Sequence, residues 1–316
     1  MQIETSGAVT SLELPFNPSF TFDCGQTFRW RPVDLDRNVW VGTVGEYVLE
    51  VSQNNVKLIS QTRDKNNASG NFIEFVQKYF SHCDKLEEIY SSFPEDPFLE
   101  DAINRSYGLK ILTQDPWECL ISFVCSINKN IPSIKTIIRN LSLRFGRAIV
   151  KDSDGSFHTF PRPTDLARAT EKELLETGIG FRWRYIKFIA EKVSSGELDL
   201  ESLRALDFNQ ARNHLISKIS RKTFGVGPKV ADCTLLFSLH KTEAFPIDVW
   251  IRRCVVKNYS NLFVSQSNQT KIAHLTYEKM STSMRERFGK YAGYAQQYMY
   301  MSMLTERRII RGKAPA

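Results

Sequence analysis

Two residues stand at spacings that permit covalent chemistry. Lys229 follows Gly225-Val-Gly-Pro228 and so falls in the first turn of the helix that Pro228 opens. The positive end of a helix dipole disfavours an ammonium there, as does burial, and both push toward the neutral amine that a lysine nucleophile requires. Asp248 comes nineteen residues later, in Phe245-Pro-Ile-Asp-Val-Trp250, at the start of another helix. As an N-cap its carboxylate binds backbone N–H groups and is expected to stay ionised. Held near the amine, that anion could stabilise positive charge developing on a sugar or help to deprotonate the lysine. Each residue alone has a plainer use, a phosphate-contacting lysine and a structural cap. The pairing is what points to catalysis.

The turn before Lys229 suggests the substrate class. Gly225 and Gly227 let the backbone turn tightly and leave N–H groups exposed at a helix N-terminus, where a phosphate oxygen binds. Lys218, Arg221, Lys222 and Lys229 surround the turn, and no acid interrupts them. This is the form of a helix-hairpin-helix, which grips a DNA backbone without reading bases. An ordinary helix–helix connection with a glycine cap has the same local pattern.

The elements that must position these residues divide the chain into two regions of an α+β fold. Residues 1–95 carry short β-branched and aromatic runs, Phe28-Arg-Trp-Arg, Val39 to Val44, Tyr47 to Val51 and Asn55 to Ser60, separated by polar turns. They predict an antiparallel sheet domain with a flanking helix over 71–90. The Pro94…Asp96-Pro97 punctuation marks the boundary. Residues 96–316 form a larger all-helical region. Asp115-Pro-Trp-Glu118 opens a helix to about Cys125, and others are expected over 131–143, 165–177, 182–194, 208–219, 228–240, 248–258, 268–286 and 291–304. Residues 151–163 read as a loop.

Composition excludes several classes. Of 316 residues, 42 are basic and 35 acidic, a net charge of 42 − 35 = +7 that permits a nucleic-acid partner without requiring one. The start lacks the pattern of a secretory signal, and no run approaches the roughly 18 apolar residues that cross a bilayer. The six cysteines form no CxxC pair, so no zinc site, iron–sulfur cluster or disulfide framework is expected, only free thiols. The expected protein is a soluble, intracellular monomer without membrane contact.

The sequence resembles the 8-oxoguanine DNA glycosylase/AP lyase family of the helix-hairpin-helix superfamily. Six stretches match its signatures in order: Cys24-Gly-Gln-Thr-Phe-Arg-Trp30; Asp115 to Ser126 with Asn128-Lys-Asn-Ile131; Gly180-Phe-Arg-Trp-Arg-Tyr185; Gly225 to Cys233; Pro246-Ile-Asp-Val249; and Phe288 to Gln296. They extend over nearly the whole chain, and six in sequence are specific where one would be weak. The resemblance implies that Lys229 attacks C1′ of a damaged nucleotide, expels the base and forms a Schiff base that permits β-elimination. Asp248 would stabilise the oxocarbenium-like transition state. The partner would be double-stranded DNA containing oxidised guanine, with the lesion turned out of the stack. No cofactor and no catalytic metal are implied. The protein would be DNA-associated, in a nucleus if the host is eukaryotic and in the cytoplasm or nucleoid otherwise.

Roles follow position by position from the resemblance. The carbonyl of Gly25 would accept the N7 hydrogen that 8-oxoguanine carries and guanine lacks, a difference on the order of 1–3 kcal/mol. Cys233 and Tyr300 would enclose the base, and Gln296 would bond its Watson–Crick edge. Asn128 would fill the vacated space in the duplex, Phe181 would wedge beside the orphaned base, and Arg182 would bond that base's edge. Gly225 and Gly227 would hold phosphate. Without the family, Asn128 reads as a helix cap, Phe181 as core and Arg182 as a solvated charge.

Four positions depart from the family pattern, and one of them, Tyr300, replaces a phenylalanine but keeps the ring. Ser133 stands where relatives with strict cytosine preference carry arginine, which predicts weak discrimination among opposite bases. Trp250 stands where a histidine is typical, so the phosphate contact there is not assured. Phe224 replaces the usual proline before Gly225. Two other functions fit parts of the sequence. One is a non-catalytic helix-hairpin-helix DNA-binding protein; the other is a superfamily enzyme for alkylated purines, which the Gly25 segment and Gln296 disfavour.

Overall fold

Short runs of β-branched and aromatic residues build the N-terminal sheet. The computed structural model describes residues 8–62, 72–152, 155–219, 227–263 and 275–310. Its five strands are β1 (Val9–Ser11), β2 (Trp30–Asp34), β3 (Val39–Val44), β4 (Tyr47–Val51) and β5 (Asn55–Gln61). They pair antiparallel in the order β1-β5-β4-β3-β2. Helix α1 (Pro18–Phe22) is started by Asn17, whose side chain accepts from the Phe20 N–H. Neither α1 nor β1 is apparent in the sequence, because both are very short.

One aromatic stack holds this sheet. Phe22 lies parallel to Trp30 with ring centroids 4.0 Å apart, and the Trp30 indole N–H donates to Tyr79 Oη at 2.9 Å. Trp30 faces Gly42 across the β2–β3 ladder. A Cβ on Gly42 would sit 2.4 Å from the indole, so only glycine admits the ring there.

The helix expected over 71–90 is two helices, α2 (Phe72–Tyr79) and α3 (Leu86–Ser91). Ser81, with φ of 47°, ends α2 in a left-handed cap, and the His82 N–H closes back on the Gln77 carbonyl. The second region is mostly helical rather than all-helical, since it also holds a short hairpin, and it runs first through α4 (Pro97–Arg105), α5 (Pro116–Cys125) and α6 (Ile131–Phe145). Asp115 caps α5 by accepting from the Glu118 N–H at 2.8 Å, as its sequence predicts.

The expected loop over 151–163 is in part a hairpin, β6 (Ala148–Asp152) with β7 (Gly155–His158). Asp154-Gly155 is a hairpin dipeptide as much as a loop signal, and the flanking runs are too short to decide between them. The expected helix over 165–177 divides into α7 (Pro163–Arg168) and α8 (Glu171–Glu176). Thr170 and Glu173 form a reciprocal capping box that starts the second.

The remaining helices are α9 (Trp183–Ser194), α10 (Phe208–Ile219), α11 (Pro228–Leu239), α12 (Val249–Asn258), α13 (Tyr277–Phe288) and α14 (Ala292–Ile310). Residues 268–274 of the expected 268–286 helix, and residues 220–226 of the hairpin turn with Arg221, Lys222, Phe224 and Gly225, lie outside the described residues. Among the described residues, no helix is long and apolar enough to cross a membrane. All six cysteines are free, five of them buried.

The sheet and the helices are welded at the Gln26 side chain. Its amide donates to the carbonyls of Thr21 and Lys110 and accepts from the Leu112 N–H, each at 2.8–2.9 Å. Arg29 pairs with Glu118 of α5 at 3.1 Å, both nearly buried. The turn that contains Gly25 is thus fixed against the helical core from both sides.

Candidate active site

Helices α5, α11, α12 and α14 and the Gly25 turn contribute to the walls of a cleft of about 990 Å³. Gly25, Asn128, Gly227, Lys229, Asp248 and Tyr300 all face it. These residues are separated by up to 275 positions in sequence, yet share one concavity.

Pro228 and Gly227 set the position of Lys229. Gly227 is the N-cap of α11, and its carbonyl accepts from the N–H groups of Val230 and Ala231. Lys229 therefore leaves the first helical turn toward the cleft. Its Nζ donates to Ser126 Oγ at 3.1 Å and stands 5.0 Å from the centre of the Phe123 ring.

Asp248 is the N-cap of α12. Its Oδ1 accepts from the N–H groups of Trp250 at 2.9 Å and Ile251 at 2.7 Å. Burial raises its carboxyl above the ordinary aspartate value, against the lowering effects of the Ile251 amide, the Lys229 charge and the Trp250 amide. Desolvation therefore outweighs the two amides in setting the direction of the shift. The Lys229 charge is felt at Asp248, and both residues line the cleft.

Gly25 and Tyr300 meet on another wall. Gly25 has φ of +78°, and a Cβ built on it would lie 3.3 Å from both Tyr300 Cε1 and Ile131 Cδ1. Tyr300 is half-buried at the cleft, and burial raises its phenol. Cys233 and Gln296 are buried and are not part of the cleft lining. Burial pushes the Cys233 thiol up to about 12, so it is a neutral, small apolar group. Gln296 Oε1 accepts from Gln297 Nε2 at 2.8 Å.

The residues expected at the duplex are arranged less uniformly. Asn128 is exposed, with φ of 52°, and it does not cap α6; Asn130 does, by accepting from the Ser133 N–H at 2.9 Å. Phe181 is 51% exposed on the turn Gly180–Arg182, and Arg182 beneath it is 3% exposed. The Arg182 guanidinium donates to the carbonyls of Ile127 and Ile179 and lies 4.4 Å from the Phe181 ring centre. The local reading of Phe181 as core and Arg182 as solvated is thus inverted. A guanidinium that satisfies two carbonyls is worth burying, and the ring is left outside.

Several lining residues carry no sequence assignment. Ser126 sits inside the Asp115–Ser126 signature without a role, and only the geometry shows that it holds Lys229. Trp250 and Arg307 face the cleft as well. The Trp250 ring has Arg253 at 4.8 Å and Arg307 at 4.9 Å, so the position without histidine is still bordered by two cations. Arg307 lies beyond the last matching signature, and nothing local in the sequence marks it.

Comparisons with known proteins bear on this geometry. Residues 9–120 match the family model described as 8-oxoguanine DNA glycosylase, N-terminal domain. The probable N-glycosylase/DNA lyase of Methanothermobacter thermautotrophicus is 31% identical over 247 residues, covering 72% of this chain and 73% of that protein. The N-glycosylase/DNA lyase OGG1 of Arabidopsis thaliana is 29% identical over 315 residues, 95% of this chain and 80% of its own length. Among solved structures, the Clostridium acetobutylicum 8-oxoguanine glycosylase/lyase, in complex with double-stranded DNA containing cytosine opposite 8-oxoguanine, is 30% identical. It superposes with a TM-score of 0.78 over 98% of this chain and 99% of that one.

Proposed function

The chain belongs to the family of 8-oxoguanine DNA glycosylases that are also DNA lyases, and from that membership we propose that Lys229 and Asp248 carry out its chemistry. The protein is a bifunctional base-excision enzyme that removes 8-oxoguanine from duplex DNA and then breaks the strand. Its partner is double-stranded DNA, and it is DNA-associated. The finer location is the nucleus in a eukaryotic host and the cytoplasm or nucleoid otherwise.

The base leaves the stack before reaction, because C1′ is inaccessible inside the duplex. Lys229 Nζ, as the free amine, attacks C1′. The Nζ–C1′ bond forms as the C1′–N9 bond breaks, and the electron pair departs with the base, which takes up a proton. Asp248 faces the sugar and stabilises the positive charge that develops during this exchange. Opening of the sugar ring at O4′ gives the imine between Nζ and C1′. Loss of a C2′ proton then expels the 3′ phosphate, and water releases the lysine from the product.

Recognition uses the Gly25 turn and α14 together with α11. The Gly25 carbonyl accepts from N7–H of 8-oxoguanine and meets a second acceptor in guanine. Tyr300 stacks on one face of the base. Cys233 backs the other face, and Gln296 reads the Watson–Crick edge, although both are buried before the base enters. Asn128 and Phe181 occupy the duplex at the vacated position. Arg182 reaches the orphaned base by exchanging a carbonyl partner for it. The amides of Gly225 and Gly227 hold phosphate, and residues 1–95 form a sheet domain that shares its core and the cleft with the helical region 96–316.

The observation that carries the catalytic assignment is the joint placement of Lys229 and Asp248 in one cleft. At about 990 Å³ it has the size of a site that encloses a small ligand. Borohydride trapping on a duplex with one 8-oxoguanine tests it. Wild type is expected to give a covalent adduct, and Lys229→Gln none. An adduct of undiminished yield in that variant would overturn the assignment.

A further inference from the structure

We propose that Cys83, Asp84 and His240 form a second site, outside the cleft, that binds a zinc-type divalent cation. These three come from two distant parts of the chain. Cys83 and Asp84 lie in the turn between α2 and α3, and His240 ends α11, 156 positions beyond Asp84. Sequence spacing excludes a four-cysteine cluster but is blind to a site assembled across that distance. Among the described residues, this is the group whose sulfur, nitrogen and carboxylate oxygen lie within 4.8 Å of one another.

The geometry is close to a tetrahedral set. Cys83 Sγ is 3.8 Å from Asp84 Oδ1, and His240 Nε2 is 3.0 Å from each Asp84 oxygen. A tetrahedral zinc with Zn–N and Zn–O near 2.0 Å and Zn–S near 2.3 Å needs its ligand atoms about 3.3–3.5 Å apart. The His240–Asp84 pair must open by a few tenths of an ångström and the sulfur must close inward. Cys83 is exposed, so the sulfur has room to move and the cation has a way in. A fourth position is left for water.

The surroundings orient these groups. Tyr294 Oη donates to Asp84 Oδ2 at 2.6 Å, which fixes the carboxylate and leaves Oδ1 toward the sulfur and the imidazole. His240 has φ of 56° as the left-handed cap of α11, and this turns its ring back toward Asp84. Thiolate, imidazole and carboxylate together suit a borderline cation rather than calcium or magnesium. Lys110 acts against a further positive charge, because its own charge is felt at Asp84. Glu13 offsets Lys110 in turn and is paired with Lys85.

Lys229 and His240 lie at opposite ends of α11, roughly 16 Å apart at 1.5 Å per residue. The cation therefore takes no part in excision. It ties the turn after α2 to the far end of the helix that carries Lys229, and so raises stability.

Cobalt(II) is the probe, because a thiolate ligand gives it a near-ultraviolet charge-transfer band. Titration of the untagged full chain is expected to develop that band to one equivalent, zinc to abolish it, and zinc to raise the melting temperature. Cys83→Ser should lose the band while excising 8-oxoguanine at the wild-type rate in the absence of metal. His240→Asn keeps a residue that tolerates positive φ and should weaken binding tenfold or more. No band in the wild type, an equal band in Cys83→Ser, or wild-type affinity in His240→Asn would each overturn the site.

Discussion

Lys229 Nζ donates to Ser126 Oγ at 3.1 Å, and the same hydroxyl donates to the Phe123 carbonyl at 2.7 Å. The second bond fixes the hydroxyl hydrogen, so the oxygen turns a lone pair to the amine. Ser126 thereby restricts the rotamers of a side chain with four flexible torsions. Ser126→Ala removes one hydrogen bond, about 1 kcal/mol, so base release and imine trapping under single turnover should slow by roughly three- to tenfold. Because the loss is of positioning, the melting temperature should change little. A rate equal to wild type would show that the amine needs no such guide.

Gly25 is constrained twice. Its φ of +78° disfavours any L side chain, and a Cβ would press on Tyr300 and Ile131 at 3.3 Å. Gly25→Ala is expected to cost about 1–2 kcal/mol of stability from the backbone alone. Movement of Tyr300 should add a loss of kcat/KM on 8-oxoguanine that exceeds the loss on a pre-formed abasic site. Equal losses on the two substrates would place Gly25 outside base recognition.

Asp248 should cost the fold stability at neutral pH. Burial raises its carboxyl above the ordinary value, so the folded state holds the proton more tightly than the unfolded state does. Stability then falls as pH rises from the ordinary aspartate value through the folded one. Asparagine keeps the helix cap without the charge. Asp248→Asn should melt higher than wild type at neutral pH, with the difference shrinking as pH falls toward about 4. Excision should drop by roughly 10²–10⁴-fold. Thermal melts across pH, paired with single-turnover rates, separate the two effects.

Local signals decided which parts of this architecture could be read from sequence. Gly227-Pro228 and Asp248 mark helix starts by chemistry that acts within three residues, and α10 runs over 208–219 as its periodicity predicts. The Ser81 cap that divides α2 from α3 carries no glycine, so the break is silent in the sequence. Burial of Arg182 under an exposed Phe181 depends on carbonyls at Ile127 and Ile179, and the former lies 55 positions away. The Cys83–Asp84–His240 cluster and Arg307 are invisible for the same reason. Their neighbours are set by tertiary packing.

Ser133 bears on the base opposite the lesion. It lies half-buried in the first turn of α6, where its short side chain has no guanidinium fork to present. Excision opposite C, A, G and T should therefore be comparable. Ser133→Arg should introduce a preference for C, because a well-placed bidentate contact discriminates by about 1–3 kcal/mol. A strong preference for C in the wild type would overturn this reading.

Phe181 offers the sharpest separation of binding from folding. The ring is 51% exposed, and its contacts are Arg182 at 4.4 Å and the edge of Tyr185 at 5.8 Å. Little apolar area is lost on truncation, so Phe181→Ala should hold its stability to within about 0.5 kcal/mol. A wedge acts only where bases must be unstacked, at a few kcal/mol per step. Excision from duplex DNA should therefore fall at least tenfold, while cleavage of an abasic site in a single strand stays near wild type. Phe181→Leu restores an apolar wedge without a π face and should recover most of the duplex rate. Equal losses on duplex and single strand would mean that the ring supports the cleft itself and does not enter the DNA.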